Sequence, residues 1–138
     1  MARSTPKVFE FDVSVGRDGT ASSGRGGEPL PLGDEWWAEH LVLVGLVRCT
    51  IASLGFYARR AGFEVAGSGS AHGRVTRRED GLYALVDVEA TLEVEVTPAP
   101  DRAAVRELVA DAERGCFVGN SLVAKPRYDW TVNGEEVA

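Results

Sequence analysis

The run LVLVGLVRCTIASLGFYA, residues 41–58, decides the fold. Its apolar positions, Leu41 to Val44, Leu46, Val47, Ile51, Leu54 and Phe56, spread too far round a helix for a one-sided amphipathic element, so the helix is expected to be enclosed on several sides. The same run is long enough to pass for a membrane span. Arg48 near its middle argues against lipid, where a charge is costly, and for a helix buried in protein. Upstream, Asp34 offers an N-cap. Downstream, Arg59 and Arg60 suit a last turn and Gly62 a stop.

Around this helix the sequence reads as strands. Val8 to Val15 alternates Phe9, Phe11, Val13 and Val15 with Glu10, Asp12 and Ser14, the period of a half-buried strand, and Gly16-Arg17-Asp18-Gly19 reads as a turn. The segment from Ser22 to Gly27, followed by Pro29 and Pro31, is a loop or a short irregular strand. Two further strands, about Phe63 to Arg77 and Leu82 to Val96, are joined by Arg78-Glu79-Asp80-Gly81, where Asp-Gly is a hairpin signal. In the second, Val86, Val88, Ala90, Leu92, Val94 and Val96 share one face and the acidic residues between them the solvated one. A helix over Asp101 to Arg114 follows, ended by Gly115. Cys116 opens a further short helix, and Tyr128 to Val132 makes a last strand. This order is α+β, in a chain of 138 residues, the length of one domain.

A net charge of -6 argues against the clustered basic surface that phosphate binding needs, and Arg59-Arg60 and Arg77-Arg78 are short pairs of the kind more often found on solvated surface, so nucleic acid is not an expected partner. The stretch after Met1 to Lys7 alternates apolar and acidic residues where a secretory leader would have an apolar block, so a cytoplasmic location and no membrane are expected. There, the two cysteines read as free, metal-bound or redox-active rather than as a permanent disulfide. His40 and His72 fit no metal spacing with them, so no metal or cofactor is assigned.

A thiol of pKa about 8.5 is mostly unreactive at neutral pH, and a nearby cation is needed to hold it as thiolate. Cys49, in mid-helix, has no helix N-terminus to help it. Arg48 lies about 100° further round. A cation from another segment is therefore required, and Arg17 in its glycine-flanked turn is the candidate; a guanidinium can also donate to peroxide oxygens. Glu39 is the carboxylate that could share it. It stands ten positions before Cys49, about 15 Å of helix rise. One chain's Glu39 and Cys49 should not meet, whereas two chains with long helices packed about a two-fold axis could join them.

These residues carry a resemblance to a known family. The segment Val13-Ser14-Val15-Gly16-Arg17-Asp18-Gly19 resembles the arginine-bearing turn of the OsmC/Ohr family of organic hydroperoxide resistance proteins, and Glu39 with Cys49 matches the family's helix spacing. The stretch from Ala112 to Leu122 is similar to that bearing its second cysteine. The sequence departs from the pattern in three places: Trp37-Ala38 replaces Asn-Pro before the glutamate, Phe117 replaces the proline after the second cysteine, and the loop between Arg17 and the long helix is short. The resemblance implies an OsmC-like fold, an antiparallel sheet wrapped around a long central helix in an intertwined homodimer with shared active sites. It implies a peroxidase in which Cys49 attacks an organic hydroperoxide, passes through a sulfenic acid, and forms a disulfide with Cys116. An external dithiol, often lipoyl in this family, would then reduce it.

Other readings stand beside this one. A cysteine on an apolar helix is commonly a small buried hydrophobe, and Cys116 could be an unpaired thiol. Trp36 and Trp37 either line an apolar pocket for the organic part of the substrate or make core and dimer contacts. A non-catalytic dimer binding an apolar small molecule is one competing function. A hydrolase is another, though no Gly-x-Ser-x-Gly elbow supports it.

Overall fold

The structure is a computed structural model that describes residues 5–138. Met1 to Ser4, part of the stretch read as lacking a leader, lie outside the described residues. The chain divides into two compact units, Met1–Trp37 and Ala38–Ala138.

In the first unit β1 (Val13–Val15) pairs antiparallel with β2 (Ala21–Ser23). The expected strand over Val8 to Val15 is thus confined to its last three residues. Gly24 N bonds to Asp12 O at 2.7 Å just past the ladder, and Gly26 and Gly27, both at φ near +90° (88 and 87), turn the chain away. Phe9, Phe11, Val13 and Val15 are more than half exposed in the single chain rather than half-buried.

The second unit begins with α1 (Ala38–Arg60), followed by β3 (Glu64–Arg77), β4 (Tyr83–Thr97), α2 (Arg102–Arg114), α3 (Phe117–Ser121), β5 (Arg127–Val132) and β6 (Glu135–Glu136). The expected cap at Asp34 is not used. The tight turn Trp36 N to Gly33 O intervenes, and helix begins four residues later at Ala38. At α2 the reading holds: Asp101 Oδ1 accepts from Ala104 N at 2.8 Å, the N-cap bond, and Gly115 closes the helix.

The sheet order is β3-β4-β5-β6. Neighbours β3 and β4 are antiparallel, as the hairpin signal predicts, and so are β5 and β6, the latter a strand not read from sequence; against the expected antiparallel sheet, β4–β5 is parallel, with Glu89 opposite Arg127 and Val94 opposite Val132. The helical crossover through α2 and α3 brings the chain back to run in the same direction, which a tight hairpin could not do. Val88, Ala90, Leu92, Val94 and Val96 of β4 are buried with Trp130 and Val132 of β5, while Glu89, Thr91, Glu93 and Glu95 face solvent. That alternation is the period-two face anticipated from sequence.

Helix α1 packs over β3 and β4 and against α2 and α3. Gly69 permits the close approach on β3: a Cβ there would stand 3.0 Å from Val47 Cγ1 and 2.9 Å from Leu92 Cδ1. The buried side of α1 carries Leu46, Thr50, Ser53, Leu54 and Ala58. On the far side Leu41, Val44 and Phe56 are 38%, 47% and 51% exposed, so one chain does not enclose the helix on several sides. By length and composition this helix could also cross a membrane, with mean hydropathy 1.8 over its apolar window.

Candidate active site

Cys49 lies half-buried in the middle of α1, and Cys116 is fully buried as the N-cap of α3. The crossover that makes β4 and β5 parallel carries Cys116 onto the flank of α1, where the two thiols become neighbours. Burial pushes the Cys49 thiol up from its ordinary value. The backbone of Val118 and, less strongly, Phe117 pulls it down, and Cys116 pushes it up again. The balance favours the neutral thiol.

Three groups surround Cys116. Thr50 Oγ1 stands 3.4 Å from its sulfur, and Gly119 N–H donates to the same sulfur at 3.4 Å. The Tyr128 hydroxyl lies beside both Cys116 and Thr50. Burial, then Cys116, holds that phenol well above its ordinary range. Gly119 is where this packing requires a missing side chain, since a Cβ would collide with the Tyr128 hydroxyl and lie 3.4 Å from Cys116 Sγ.

Glu39 is exposed in the first turn of α1, about 15 Å of helix rise before Cys49. The structure therefore keeps the two apart in one chain, as the spacing anticipated. Arg17 is exposed at the tip of the β1–β2 turn, which is closed by Gly16 N to Thr20 O at 2.9 Å and by Asp18 Oδ1 accepting from Thr20 N at 3.0 Å. Trp36 and Trp37, at the end of the first unit, are 46% and 68% exposed.

A cleft of about 720 Å³ lies between the start of α2 and the β5–β6 hairpin, lined by Arg102, Arg106, Asn133 and Glu135 among others. It shares no residue with the thiol pair. Among the described residues no group of three or more His, Cys, Asp or Glu side chains could hold a metal ion.

With a long helix flanked by a sheet and two thiols brought together at the helix centre, the architecture finds its match in sequence: residues 33–131, well over half the chain, match the OsmC-like protein family. The chain belongs to the OsmC-like family. Its fold is shared with an OsmC-like protein of unknown function from Vibrio cholerae (14% identity, TM-score 0.72, covering 90% of this chain and 100% of that one). The organic hydroperoxide resistance protein OhrB of Bacillus subtilis is similar at 19% identity and TM-score 0.56, over 90% of this chain and 96% of its own. A third structure, an organic hydroperoxide resistance protein from Elizabethkingia anophelis with crystallant-derived thiocyanate bound, is similar at 17% identity and TM-score 0.63, over 93% and 98% of the two chains. No curated protein matches the chain.

Sequence reasoning missed Thr50, Tyr128 and Gly119. Thr50 was open to notice, as a polar residue beside Cys49 in an apolar run. Tyr128 shares an inward register with Trp130 and Val132 on β5, but its meeting with Cys116 is a long-range event that no local pattern encodes.

Proposed function

We propose that the protein is a thiol-dependent peroxidase that reduces organic hydroperoxides. The observation that supports it is the adjacency of two free thiols, Cys49 half-buried and Cys116 buried beside it. In this reading the Cys49 thiolate attacks a peroxide oxygen, the O–O bond breaks, and an alcohol leaves after taking a proton, so that sulfur is oxidised to sulfenic acid and the peroxide reduced. Cys116 then attacks that sulfur; an S–S bond forms, the S–O bond breaks, and hydroxide leaves as water with the Cys116 proton. A dithiol of the lipoyl type reduces the disulfide.

A thiol raised by burial needs a cation from elsewhere, and Arg17 is assigned that role. Glu39 of the partner subunit orients the guanidinium, and Trp36 and Trp37 line the pocket for the organic group. A homodimer with shared sites is supported by the uncovered apolar stripe Leu41, Val44 and Phe56 on α1. The chain is taken as a single OsmC-like domain over 1–138, because the family match at 33–131 runs across the division between its two units. A cytoplasmic location completes the proposal.

One observation favours a second reading, a non-catalytic dimer that binds an apolar small molecule: within one chain the surroundings of Cys49 favour the inert thiol. A stoichiometric organic hydroperoxide separates the two. Loss of both thiols with a two-hydrogen decrease in intact mass per chain supports the peroxidase, whereas thiols unchanged by peroxide overturn it.

A further inference from the structure

Thr50 Oγ1 donates to Leu46 O at 2.7 Å, one turn back along α1. A hydroxyl has a single proton. With that proton committed, the 3.4 Å contact between Thr50 Oγ1 and Cys116 Sγ runs the other way, from the thiol S–H to the hydroxyl oxygen. Gly119 N–H occupies one lone pair of the same sulfur. The proton and one lone pair of Cys116 are thus engaged by Thr50 and Gly119, with Cys49 and the Tyr128 hydroxyl as further neighbours of the sulfur.

We propose that Thr50 is a positioning residue for Cys116: it draws the thiol proton toward α1 and leaves a sulfur lone pair aimed at Cys49. This rests on the peroxidase reading and assigns what readies the second thiol for attack on the sulfenic acid. In the resolving step the S–S bond forms along that lone pair, and the proton held at Thr50 leaves with the hydroxide as water. The Tyr128 hydroxyl, beside both Cys116 and Thr50 and against Gly119, completes the enclosure, and Cys116 has no exposed surface.

The test has two arms. In Cys49→Ser protein the only remaining S–H stretch belongs to Cys116, and its Raman band is expected at the low frequency of a donating thiol. Adding Thr50→Val, which keeps the shape and removes the acceptor, moves the band up, whereas Thr50→Ser leaves it low. A band insensitive to Thr50→Val overturns the proposal. In the otherwise unaltered protein, an organic hydroperoxide with dimedone as sulfenic acid trap gives the kinetic arm. Thr50→Val is expected to raise the ratio of trapped sulfenic acid to disulfide by about tenfold, the scale of one lost orienting hydrogen bond, and Thr50→Ser to restore it. If the unaltered protein forms disulfide and Thr50→Val does so in the same ratio, the positioning role falls while the peroxidase stands. If the unaltered protein yields neither sulfenic acid nor disulfide, the peroxidase reading falls, and the Raman arm still decides the hydrogen bond.

Discussion

Asn133 takes hold of Val96 by both backbone groups: its Oδ1 accepts from Val96 N at 2.9 Å and its Nδ2 donates to Val96 O at 3.1 Å. The side chain thereby acts as one more strand residue at the end of β4. Its own φ of 51°, with Gly134 at 80°, forms the turn from β5 to β6. Asn133→Ala loses both bonds and retains an unfavourable φ, so it is expected to lower unfolding stability by about 1–3 kcal/mol. Asn133→Gly, relieved of the φ cost, should lose less. Urea denaturation midpoints check the order, and equal midpoints for all three would dismiss the clip.

Trp130 Nε1 donates to Glu113 Oε2 at 3.0 Å, and burial raises the Glu113 carboxyl above its ordinary 4.5. A carboxyl raised on folding contributes stability that is fully present below its unfolded value and is lost as pH climbs through the folded one. Glu113→Gln keeps the acceptor for Trp130 and removes the titration. Its melting temperature relative to the unaltered protein should therefore be higher at pH 7 than at pH 4. A difference constant with pH would contradict this.

Gly119→Ala places a methyl group against the Tyr128 hydroxyl and Cys116. Overpacking of a buried site of this kind costs about 1–3 kcal/mol. The variant should melt lower and form the Cys49–Cys116 disulfide more slowly; a normal melting temperature would mean that Tyr128 yields freely.

Arg17→Ala should move the midpoint of Cys49 alkylation to higher pH, measured with Cys116→Ser to leave one thiol. The cation favours the thiolate, so its loss adds to the upward push of burial. A curve that does not shift removes Arg17 from the site.

Val44→Glu puts a charge in the exposed apolar stripe of α1. Sedimentation should show the unaltered protein as a dimer and the variant as monomer. An unaltered protein that sediments as a monomer would end the shared-site proposal.

Elements bounded by local chemistry were legible in the sequence. Asp101 and Gly115 delimit α2, and Asp80-Gly81 sets the β3–β4 hairpin, with Arg78 N bonded to Leu82 O at 2.8 Å. Asn133-Gly134 carries an equally plain turn signal, and β6 could have been read from it. Features set by partners were not legible. The alternation of residues 8–15 promises a strand, but only three residues find a mate in β2. Both cysteines could be singled out from sequence, and their neighbourhood could not, because Thr50 and Cys116 are 66 positions apart and Tyr128 arrives from another strand.

The parallel seam between β4 and β5 has a kinetic side. Residue 89 must find residue 127 before β5 can seat, and closing a loop of that length is slow compared with forming α1 or the β3–β4 hairpin. A chain still emerging from synthesis therefore presents Cys49 as a solitary thiol, and oxidation at that stage would find no second sulfur in place. The pair is a property of the finished fold, set where the α2–α3 crossover lays Cys116 against α1.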